Sequence, residues 1–137
     1  MSRSGYSEDC DYDNWQEIRW RGAVAAATKG KRGQSFFREL IAAMDRMEKK
    51  ELIAEELEAE GAFCTLGVVG HERGLDMQSV DPDDPEVVAK LFGIAPALVR
   101  EIVFMNDEWP HHTETPAQRW SRMRGWAEKQ LAKGVEP

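Results

Sequence analysis

The stretch Asp84-Pro85-Glu86-Val87-Val88-Ala89-Lys90-Leu91-Phe92-Gly93-Ile94-Ala95-Pro96-Ala97-Leu98-Val99-Arg100-Glu101-Ile102-Val103 decides the fold class. Asp84 is a good N-cap, and Pro85 suits the first helical position, where its missing amide donor costs nothing. Glu86 favours the positive end of the helix dipole. Val87, Val88, Leu91 and Phe92 fall on one face, and Gly93 is the residue type that closes a helix in a left-handed turn. A second helix starts at Ala95-Pro96 and carries Leu98, Val99, Ile102 and Val103 toward a core, with Asn106-Asp107 at its end.

Ala89 and Gly93 stand four apart, as the crossing residue and turn glycine of a helix-turn-helix do. Ile94, Val99 and Ile102 match that motif's buried positions. Segment 86–103 therefore resembles a helix-turn-helix in shape. It departs from it in chemistry, because Ala95, Pro96, Ala97 and Leu98 occupy the early positions of the second helix, where base edges call for polar side chains.

Helical spacing extends outward on both sides. Upstream, a helix starting near Asp13 or Asn14 places Trp15, Ile18, Gly22 and Ala25 on one face and Trp20, Val24 and Ala27 on another. Gly30 and Gly33 bracket a basic turn, Lys31-Arg32, that ends it. Ser35 caps a second helix with Phe37, Leu40, Ile41, Met44 and Met47 inward. A short third helix is expected over Glu51–Glu60, with Ile53 and Leu57 as its apolar edge. A further one over Phe63–Gly74 carries Gly67 and Gly70 on a stripe that another helix could cross closely. A strand over Ala62–Val69 competes with that reading. Downstream, Trp109-Pro110-His111-His112 is a loop, and Thr115-Pro116 opens a last helix that buries Trp120, Met123, Ala127 and Leu131, with Trp126 at its margin. The expected architecture is all-α, a compact bundle of six or seven short helices with a helix-turn-helix-like corner. It forms a single domain over residues 14–134, preceded by a loose acidic tail over 1–13.

At 137 residues, 42% hydrophobic and 31% charged, the chain can bury one core. Its formal charge of −7 argues against a general polyanion binder. The charge is segregated. Residues 14–38 hold six basic side chains and one acid, residues 39–114 eighteen acids and six bases, and residues 115–137 five bases and two acids. Either the basic terminal helices neutralise the acidic middle, or one charged face meets a partner. No apolar run reaches the roughly 18–20 residues of a membrane span. The first residues lack the apolar stretch of a secretion signal, and two cysteines, Cys10 and Cys64, fit a reducing cytoplasm.

Candidate chemistry is sparse. Cys64, His71 and Asn106 or Asp107 have the residue types of a thiol hydrolase, but Cys64 and His71 are seven apart, roughly 10 Å along one helix. The expected role of Cys64 is a buried free thiol. His111-His112 with Asp107, Glu108 and Glu114 lack the i, i+4 spacing that favours zinc, so neither a metal nor another cofactor is expected. Glu55, Glu56, Glu58 and Glu60 read as one solvated side. The tryptophans Trp15, Trp20, Trp109, Trp120 and Trp126 lie toward the chain ends. Trp beside Arg is the composition of an interaction hot spot, which makes Arg19, Trp20, Arg21, Lys31, Arg32, Trp109, Arg122 and Trp126 the candidate partner-binding residues. A homodimer through the terminal helices is compatible with them.

Three stretches resemble a family of small proteins of temperate phages and prophages: Met1-Ser2-Arg3-Ser4-Gly5-Tyr6-Ser7, the run from Arg21-Gly22-Ala23-Val24 through Gly30-Lys31-Arg32-Gly33-Gln34, and the pair Phe92-Gly93-Ile94 and Asn106-Asp107-Glu108. The helix from Thr115-Pro116 to Trp126 fits the same pattern. The resemblance implies a phage origin and a bacterial cytoplasm, and carries over no catalytic residue. The expectation is a non-enzymatic accessory protein that binds a host or phage protein, in the manner of inhibitors of host defence. The alternative is a nucleic-acid-associated regulator using segment 86–103 or the basic first helix.

Overall fold

The computed structural model describes residues 3–4, 14–109 and 113–134, with side chains described for 3–4, 19–109 and 113–131. Among these residues the chain forms six helices and one tiny hairpin: α1 (Asn14–Lys29), α2 (Lys31–Arg46), β1 (Glu58–Ala59), β2 (Ala62–Phe63), α3 (Thr65–Arg73), α4 (Pro85–Phe92), α5 (Pro96–Asp107) and α6 (Pro116–Gly134). The all-α bundle expected from the sequence is the observed architecture. No described helix is long and apolar enough to cross a membrane.

The α4–α5 corner forms as its residues dictate. Asp84 accepts from the amides of Glu86 and Val87, Pro85 opens α4, and Gly93 closes it at φ +71° while its amide reaches Ala89 O. Val88, Ala89, Phe92, Ile94, Leu98, Val99, Ile102 and Val103 are all buried, whereas Val87, expected inward, is exposed. The second helix of the corner is the centre of the molecule. Helices α1, α3, α4 and α6 all pack against α5, and none of its residues is fully exposed.

Three sequence expectations fail locally. Glu51–Glu60 is not a helix. Like charges at Glu51/Glu55 and Glu56/Glu60 oppose one, and an extended path lets Leu52 and Leu57 both reach the core. That path is held by Leu52 N donating to Pro116 O and Ile53 N to Phe63 O. It turns at Glu60 and Gly61, whose φ values of +51° and +79° bring β1 antiparallel to β2. The competing strand reading of Ala62–Val69 therefore holds for two residues only, and Cys64 caps α3 through its sulfur, which accepts from Gly67 N at 3.4 Å.

The glycine stripe of α3 is not crossed by a helix. A Cβ on Gly67 would sit 1.9 Å from Leu57 O, and one on Gly70 would sit 2.3 Å from the Met77 sulfur. Loop backbone and a methionine fill the approach. Lys31-Arg32 is not a turn either. The chain breaks only at Gly30, and Lys31 and Arg32 form the first turn of α2, with Ser35 inside the helix rather than capping it. Gln34 secures this joint, donating to Thr28 O at 2.7 Å and Gln130 O at 3.1 Å. The helix ends at Arg46, before Glu48.

Of residues 1–13, Arg3 and Ser4 are described, and both are buried, so the loose-tail expectation does not hold at those two positions. The rest of that stretch, the side chains of Trp15 and Ile18, and Pro110-His111-His112 lie outside the described residues.

Candidate partner-binding surface

Charge segregation resolves differently at the two ends of the chain. On α6 the arginines Arg119, Arg122 and Arg124 are neutralised within the fold. Arg122 holds Glu114 through both carboxylate oxygens, at 2.7 and 3.1 Å, and donates to the last carbonyls of α5, Met105 O at 2.5 Å and Asn106 O at 3.3 Å. Arg119 reaches Asn106 O and Leu52 O. Cations against unsatisfied carbonyls are what a helix C-terminus favours. Arg124 pairs with Asp45 and Glu128, and its hydrogen bond holds the Asp45 carboxyl below the ordinary aspartate value. Arg73 does the same to Glu39.

From α1 to the middle of α2 the opposite holds, although Arg46 at the end of α2 pairs with Glu72. Arg19, Arg21, Lys29, Lys31, Arg32 and Arg38 are all exposed, and none is in an ion pair among the described residues. Arg21 instead lies over the Trp20 ring, 4.3 Å from its centroid, an arrangement that leaves the guanidinium edge available to an acceptor. A cleft of about 210 Å³ brings Arg21 and Lys29 of α1 together with Trp126 of α6, with Glu101 on its rim. The Trp126 ring is anchored edge-on to Phe37, 5.5 Å between centroids. Lys31 and Arg32 line two further clefts that reach the α4–α5 turn, of about 290 and 230 Å³. There Arg32 approaches Gly93 O at 3.4 Å.

Thus Arg21 joins Trp126, with Trp20 under its guanidinium, and Lys31 joins Arg32, along one basic edge. Three candidates stand apart from it. Arg19, two residues and about 200° around α1 from Arg21, projects from a different side of that helix. Arg122 is engaged inside the fold. Trp109, 51% exposed and edge-on to Phe104, follows the far end of α5 from the Ala95 cleft, a helix length of roughly 18 Å. Lys29 belongs to the edge although it flanks no tryptophan in sequence, because it lines the Trp126 cleft together with Arg21.

Cys64 is buried, and its sulfur lies 3.7 Å from Arg3 Nη2. His71 packs on Phe63 instead, 4.6 Å between ring centroids, and lines a cavity of about 460 Å³ that Cys64 does not line. The thiol and the imidazole therefore do not form a nucleophile and base pair. Asn106 is a structural hub whose Oδ1 accepts from Thr65 N and Thr65 Oγ1. Among the described residues no group of side chains could hold a metal ion. No family model matches the chain, and no curated protein or solved structure matches it.

Proposed function

We propose that the protein works by binding: a non-enzymatic accessory factor of phage origin that docks its basic α1–α2 edge onto an acidic surface of a host or phage protein in the bacterial cytoplasm. A component of host antiviral defence is a partner class consistent with that origin. The observation that carries this reading is the set of exposed cations on α1 and the first turns of α2 without a carboxylate partner among the described residues, in a chain of net charge −7. With a surplus of acids available, an edge left unneutralised is an edge with a use outside the fold, and Trp–Arg pairs are the chemistry of hot spots.

A second reading draws on the contact between Arg32 and the α4–α5 turn, which sets Lys31 and Arg32 beside the helix-turn-helix-like corner. Against duplex insertion stands α5 itself, enclosed by four helices and starting with Ala95, Pro96 and Ala97. The two readings separate on salt and substrate. Duplex DNA at low salt should give a flat gel-shift titration; a salt-sensitive shift would favour the regulator.

Affinity capture from host lysate tests the leading reading directly. The combined variant Arg21→Glu, Lys29→Glu and Lys31→Glu should unfold within about 2 kcal/mol of the wild type, since it breaks no ion pair among the described residues and gives up the Arg21–Trp20 stacking. Its specific capture should nevertheless be lost, each anchoring position contributing about 2 kcal/mol or more. Equal recovery by wild type and variant contradicts the proposal.

A further inference from the structure

The cavity of about 460 Å³ opens at the end of α2 remote from the basic edge, where that 16-residue helix, about 24 Å long, meets α3 and the β1–β2 hairpin. Its volume is in the range of small-molecule sites. The floor is apolar, built from the buried Ala43 and Val68 and the partly buried Met47. One wall is aromatic, the Phe63 and His71 rings lying 4.6 Å apart between centroids and tilted by 33°. Stacked rings and a methionine beside an apolar floor suit a flat, aromatic body. The rim decides which charge that body carries. Four carboxylates, Glu48, Glu51, Glu60 and Glu72, line it with two cations, and both cations are taken, Arg46 by Glu72 and Lys49 by Glu51. Glu48 and Glu60 have no cationic partner among the described residues.

We propose that this cavity binds a small organic cation, an ammonium group carried on an aromatic body. The ring lies against Phe63, His71 and Met47, and the ammonium is drawn to Glu48 and Glu60. The backbone favours the same charge. The last turns of both α2 and α3 line the cavity, and a helix dipole attracts cations at that end. The aromatic wall adds to this, because the face of a ring attracts a positive charge. Glu60 itself sits at φ +51°, where glycine or asparagine is at ease and glutamate is not. The turn between β1 and β2 therefore does not account for a carboxylate at that position, whereas a cation site does. The site is independent of the basic edge, which lies at the other end of α2 and carries the opposite charge.

The experiment titrates the full chain with phenethylamine and follows backbone amide and methionine methyl resonances by NMR. Saturable shifts are expected at Gly61, Ala62 and the Met47 methyl, with a Kd of about 1 mM or tighter for so small a probe. Phenylacetate, which has the ring and the opposite charge, should shift none of them. Ethylamine, which has the charge and no ring, should bind about tenfold more weakly or worse. The exposed pair Glu48→Gln and Glu60→Gln should weaken phenethylamine binding about fivefold or more. Glu56→Gln with Glu86→Gln removes the same charge from exposed positions outside the cavity, and should leave the affinity within about twofold. The absence of a saturable shift, equal binding of phenylacetate or ethylamine, or equal weakening by the two variant pairs overturns the proposal.

Discussion

Asn106→Ala should destabilise the protein by about 3–5 kcal/mol, because it orphans several buried groups together. Asn106 Oδ1 accepts from both the amide and the hydroxyl of Thr65, at 3.1 and 2.7 Å, and Nδ2 donates to Ile53 O at 3.0 Å. Those partners belong to the first turn of α3 and to the extended segment that replaces the expected third helix. Asn106 itself lies in the last turn of α5 and is 1% exposed. Removing the amide leaves a donor pair and a carbonyl in a space that water does not reach, and loosens three elements at one point. Urea unfolding monitored by circular dichroism measures the loss. A cost below about 1 kcal/mol, the value of a single ordinary hydrogen bond, would mean that the three elements are not joined here.

Gly67→Ala should cost about 2–4 kcal/mol, the upper range of overpacking, because the atom it would strike is backbone. The new Cβ would lie 1.9 Å from Leu57 O and 3.2 Å from Phe63 Cβ. Leu57 O is also the acceptor for Cys64 N, so moving it away undoes the bond that starts the α3 cap. Gly22→Ala is the control. A Cβ there meets nothing within 4 Å, and the substitution should stabilise α1 by about 0.5–1 kcal/mol through helix propensity. Thermal unfolding of the two variants side by side should move in opposite directions. A neutral Gly67→Ala would show that the loop at Leu57 is free to retreat.

What the sequence discloses and what it hides divide along locality. The caps at Asp84 and Thr115, the proline starts at Pro85, Pro96 and Pro116, and the turn at Gly93 are each decided by a few adjacent residues, and all are found where expected. Glu51–Glu60 fails because its conformation is set by partners far along the chain, Pro116, Phe63 and Asp107, which no local periodicity reports. The candidate surface shows the same division. The Arg19-Trp20-Arg21 cluster is legible because its members adjoin. The juxtaposition of Arg21 with Trp126 is a product of α1 packing on α6. Arg122 looks like its neighbours in sequence, and only the position of the α5 C-terminus turns it into an internal staple. Arg3 carries no signal at all, since its partner stands 104 positions away.

Site-specific photocrosslinking in cells that express the protein tests the proposed role of the basic edge most directly. A benzophenone side chain at position 25, an exposed alanine lining the cleft between α1 and Trp126, should yield one defined protein adduct. The same group at position 56, on the exposed acidic segment before β1, should yield none. An adduct from position 56 with none from position 25, or a nucleic-acid adduct at position 25, would contradict the account.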